Sequence, residues 1–157
     1  MRPTGTSTVA GIRDCITEAV EAALSRDADR FGRAAGRLAV QDAQRLALVQ
    51  AWVLRSLLED LHPDGLSGAD AQDVLRGCVT SAASWFAEVD AAVLAAVLTG
   101  ALGLSDPDAP APAGPAMLSQ QAALLTADLL TAAGTPLAGY LDAAFAELRR
   151  AETIELP

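Results

Sequence analysis

Apolar side chains in this sequence return every three to four residues along most of its length, and that interval leaves the α-helix as the only regular structure open to it. Between Val9 and Leu24, for example, Ile12, Cys15 or Ile16, Ala19, Val20 and Ala23 share one side, while Asp14, Glu18 and Glu21 take the other. Aromatic residues make up only 4% of the chain, so the core must be assembled from Ala, Leu and Val. Small side chains let helices approach closely, and this composition disfavours a sheet. The 157 residues, 52% hydrophobic and 20% charged, are enough for one self-sufficient core. The sequence therefore predicts a single all-α domain over residues 1–157, a bundle of about six helices, with a flexible N-terminus at 1–7.

Punctuation along the chain divides it further. After Ser25 to Asp27, which suit a helix start, a helical pattern without proline runs to Leu61. Its second half, Leu46 to Leu58, is so apolar that it must be covered on most of its circumference. This long second helix is expected to be the central one. It stops at His62-Pro63-Asp64-Gly65, because proline removes the helical conformation from the residue before it. His-Pro-Asp resembles the tripeptide of the J domains of heat-shock co-chaperones, but Glu59 and Asp60 stand where those domains carry a basic helix, and the segment is read as a helix stop.

Ser67 and Asp70 have capping-box spacing and open a third helix, with Val74 or Leu75, Cys78, Val79, Ala82, Trp85 and Phe86 as its apolar stripe. Asp90 is expected to cap a fourth, apolar nearly all round from Val93 to Leu102 and hence buried. Four prolines between 105 and 115 impose a stiff, exposed connection. A fifth helix over about Ala116–Ala133 ends at Gly134, and Thr135-Pro136 opens a sixth.

Charge narrows the partners. The formal net charge is −9, and all eleven basic residues are Arg. An acidic body is repelled by phosphate backbones, so no nucleic-acid partner is expected. The charge is also segregated: residues 26–55 carry six Arg and three Asp, whereas 56–146 carry one Arg and eleven acids. Arg26, Arg30, Arg33 and Arg37 fall within a wedge of roughly 60° on one helix face and form a candidate docking stripe for an acidic surface or a second copy of the chain. The N-terminus has no apolar leader and no run is long enough to span a bilayer, which points to the cytoplasm.

Sites for chemistry are few. Asp42 projects onto the apolar face of the long helix and Asp128 sits among leucines, so both are candidate buried carboxylates. If they met, they would form a pair with shifted protonation. Cys15 and Cys78 lie on core faces without a neighbouring base, which leaves a thiol inert. No metal-ligand set, nucleotide loop or nucleophile elbow occurs, and neither a cofactor, a metal nor a catalytic residue is expected. The leading expectation is a noncatalytic interaction module that forms a homodimer. The alternatives are a bundle holding a small apolar ligand near Trp52, Trp85, Phe86 and Tyr140, and an enzyme built on Asp42, Asp128 or His62.

Overall fold

The computed structural model describes residues 8–155, and the expected flexible segment 1–7 lies outside them. Among the described residues there are seven helices and no strand: α1 (Val9–Leu24), α2 (Ala28–Ala39), α3 (Ala43–Leu61), α4 (Gly68–Ala83), α5 (Ala91–Ala101), α6 (Pro115–Ala133) and α7 (Leu137–Glu155).

The seventh helix arises because the expected long second helix is two. A single helix over residues 28–61 would be about 51 Å long. A compact chain of this size has a radius of gyration of only about 15 Å, so such a rod would overhang its own core. The chain turns at Val40–Gln41 instead. Asp42 then restarts the helix as N-cap, its carboxylate accepting the Arg45 N–H at 3.0 Å. This corrects the placement of Asp42 on an apolar face: the side chain caps a helix end.

The central helix is α6, not the second. Ser119, Gln121 to Ala127, Leu129 and Leu130 are all buried, which is burial on every side. It packs against α1, α2, α3, α4 and α5, while α7 lies chiefly against α3. Each buried leucine of α6 contributes about 1.5–3 kcal/mol. Its buried polar side chains are matched inside. Thr126 donates to the Ala122 carbonyl at 2.7 Å, and Gln121 accepts the Asp90 N–H at 3.0 Å while donating to the Glu88 carbonyl at 3.2 Å. Gln121 thereby ties the start of α5 to the centre of the molecule. The helix ends at Gly134 in the left-handed conformation, φ 66°, which glycine adopts without strain.

Other expected boundaries hold. Ser67 and Asp70 form the capping box that opens α4, and Asp90 caps α5 through the Ala92 and Val93 N–H groups. At the α1–α2 corner Asp27 caps α2, its carboxylate accepting the Arg30 N–H at 3.1 Å, but no glycine marks the end of α1. Arg26 occupies the left-handed region at φ 56°, its N–H reaching the Ala23 carbonyl and that of Asp27 the Ala22 carbonyl. Glycine is the usual residue at this position.

Two stability changes follow. Replacing Asp42 with Ala removes a helix cap and lowers the unfolding free energy by about 1 kcal/mol. Replacing Arg26 with Gly relieves the left-handed backbone and raises it by about 1 kcal/mol. Urea denaturation with an unchanged m-value checks both.

Candidate functional site

Apolar faces of α3 and α5 are left partly uncovered and meet beside the first turns of α6. On α3, Ala43, Ala47, Gln50, Ala51 and Leu54 recur at helical spacing along one side. On α5 the corresponding face is Ala96, Val97, Gly100 and Ala101, and on α6 it is Pro115, Leu118, Ser119 and Ala122. Together with Leu38 and Ala39 at the end of α2, these faces enclose a cleft of about 700 Å³. The proline-rich connection lies across it, contributing Ser105, Asp106, Ala109, Pro110, Ala111 and Pro112. Helix α5, expected to be buried all round, buries only Val93, Leu94, Leu98 and Ala101.

The polar groups in the cleft are few and nearly all uncharged: Gln41, Gln44, Gln50, Thr99, Ser105 and Ser119, with Asp106 on the connection. Among the described residues, no Arg or His lines it. Gln50 is buried, 4% exposed, and donates its amide N–H to the Ser119 carbonyl at 3.0 Å, pinning α3 to α6 at the cleft wall. Three large hydrophobic residues stand in water beside the lining: Val40 (79% exposed), Leu48 (52%) and Leu104 (71%). Leu48 also lines an adjoining groove with Ala51, Trp52, Gly100 and Ala101.

The aromatic residues named from sequence lie largely elsewhere. Trp85 and Phe86 pack edge-on against buried Phe31, with ring centres 5.5 and 5.0 Å from it. Tyr140 donates its hydroxyl to Asp60 at 2.6 Å, and that bond to a carboxylate raises the phenol's pKa. Only Trp52 comes near, in the adjoining groove.

The arginine stripe faces this chain's own α1 in part. Arg30 forms a fork with Glu18, at 2.6 and 3.0 Å, and reaches Glu21 at 3.4 Å. The hydrogen bond from Arg30 holds the Glu18 carboxyl below the usual carboxylate range. Arg37 stands 4.0 Å from the same carboxylate, and Arg26, Arg33 and Arg37 are exposed. The acidic complement of the stripe lies at least partly within the α1–α2 hairpin.

Asp42, Asp128 and His62 occupy three different surroundings. Asp42 caps α3. Asp128 is half-buried in a small cleft with Cys78, Ser81, Trp85, Thr131 and Arg26. His62 ends α3, with its Nδ1 3.9 Å from the Asp70 carboxylate. Desolvation raises the pKa of Asp128. Burial, with Asp128 close by, pushes the Cys78 thiol up to about 12, and burial likewise raises Cys15. Both thiols therefore stay protonated at neutral pH, which removes their nucleophilic form. No known protein family, curated protein or solved structure gives a significant match to the chain.

Because the folded state raises the pKa of Asp128, it binds this proton more readily than the unfolded chain does. Stability at this residue falls as pH rises through the interval between the two values. Asp128→Asn is thus expected to be more stable than the wild type at pH 7. The difference disappears below about pH 4, where the carboxyl is protonated in both states. Thermal melts of the two proteins across that range test the sign.

Proposed function

We propose that the protein binds a small apolar ligand in the cleft between α3, α5 and α6. The observation that carries this reading is the cleft itself, about 700 Å³ of mainly apolar wall interrupted by a few uncharged polar groups. Small-molecule sites have roughly 300–1,000 Å³ and the same character. Protein interiors otherwise pack to crystal-like density, and an apolar gap of this size filled only with water is unfavourable. Helices as apolar as α3 and α5 ask for cover, and a ligand supplies it.

Nile red, an uncharged apolar dye, is the probe. It should bind the wild-type protein with a rise in fluorescence and be lost from Ala47→Trp, which fills the cleft from an exposed position and so leaves the core intact. Circular dichroism checks the fold of the variant. Dye binding that is absent, or unchanged by Ala47→Trp, overturns the reading.

A second reading, the homodimer expected from sequence, draws support from Val40, Leu48 and Leu104, which stand in water next in sequence to cleft residues. Large exposed apolar groups gain from being covered. It requires a dimer in sedimentation equilibrium at micromolar concentration that Leu48→Glu dissociates. A monomer under those conditions eliminates it and leaves the ligand reading standing.

A further inference from the structure

The side-chain amide of Gln50 is only half used. Its nitrogen faces the Ser119 carbonyl, an assignment forced by chemistry because a carbonyl oxygen only accepts. One N–H is engaged there, and the second N–H and the Oε1 atom have no partner among the described residues. The residue is 4% exposed, yet among the described residues no side-chain nitrogen or oxygen sealed from solvent is left without a partner. The free oxygen therefore keeps some exposure to solvent, in a residue that lines the cleft. A donor and an acceptor stand side by side deep in an apolar wall.

The geometry points to Gln50 as the specificity-determining residue of the cleft, selecting an apolar molecule that carries one uncharged hydrogen-bonding group: a hydroxyl, a ketone or an amide. This rests on the ligand-binding reading above and adds the class of ligand. A neutral head satisfies both free positions of the amide and leaves the bond to Ser119 in place. A carboxylate or phosphate head would have to be desolvated beside Gln50 with no cation in the lining and with Asp106 on the connection, and an unpaired buried anion is strongly disfavoured. A site that hydrogen-bonds a substrate group also discriminates against the analogue lacking it.

The test is a head-group series on one chain length at pH 8, below micellar concentrations: decan-1-ol, decanamide, decanoate and decane, each measured by displacement of Nile red. The alcohol and the amide should bind at least about tenfold more tightly than decanoate, and about three- to tenfold more tightly than decane. In Gln50→Leu, close in volume and checked for folding by its melt, the alcohol and the amide should bind no more tightly than decane binds to the same variant. Equal affinity for the alcohol, the alkane and the carboxylate on the wild type overturns the inference, whatever the variant does. So does an alcohol preference that survives in Gln50→Leu. If Nile red binds and no head group is preferred, the ligand reading stands and this one fails. If neither the dye nor any decyl compound binds, both fail together.

Discussion

The burial of α6 governs the rest of the molecule. A helix apolar on every side is stable in water only when neighbours surround it. Here α1 to α5 are all drawn onto it. The buried polar side chains of α6 bond to their own helix or reach outward to fixed points: Thr126 to the Ala122 carbonyl, Ser119 to that of Ala116, Gln121 to the loop before α5. Those bonds do more than avoid a desolvation penalty. They set where α5 begins and, through Gln50 and Ser119, how α3 is aligned, so the centre of the bundle also fixes the wall of the cleft.

The cleft follows from the same composition that makes the core. Alanine and glycine let backbones come close, yet they have no reach, and where three helices diverge there is nothing on Ala43, Ala47, Ala96 or Gly100 to fill the space. A longer connection with helical propensity would be free to fold down and close it. The proline-rich connection is not, because its prolines withhold backbone donors and fix their torsions. It bridges α5 to α6, with only local turns at Asp106 such as the bond from the Asp108 N–H at 2.9 Å. Stiffness in this segment keeps the cleft bounded on one side without collapsing it.

Most helix boundaries were legible because they depend on local chemistry: the Ser67–Asp70 box, the Asp90 cap, Gly134, and the prolines at 63 and 136. What was not legible depends on the tertiary arrangement. The turn at Val40–Gln41 has no proline or glycine, and the one available signal, an Asp three residues before Arg45 followed by Ala43, was outweighed by the apolar spacing that made Asp42 look like a buried acid. The choice of α6 over the expected second helix as the centre could not be made from periodicity, since Leu46–Leu58 and Leu118–Leu130 are similarly apolar. Whether an apolar face is covered by another helix or left bare is invisible at the level of one helix, and the cleft is made of such bare faces. The arginine stripe was visible, but the carboxylates opposite Arg30, Glu18 and Glu21, lie on the preceding helix and are brought there only by the α1–α2 turn.

Charge in this protein is used to join helices, and the cleft lining holds little of it, Asp106 on the connection. Arg30 links α2 to α1, Arg13 links α1 to α7 through Asp142 at 2.7 Å, and Arg45 links α3 to α7 through Glu152 at 2.7 Å. These pairs are partly exposed, where each is worth little in energy, about 0–1 kcal/mol, so their effect is on alignment more than on stability. Spread over the outside of the bundle, they leave the inner faces of α3, α5 and α6 to uncharged side chains. With a net charge of −9 outside and no cation within, the field of the whole chain opposes an anion at the cleft mouth, and the lining gives one nothing to pair with. Discrimination at the site would then come from the few uncharged polar side chains set in a wall of alanine and leucine, among which Gln50 is the buried amide with hydrogen-bonding positions to spare.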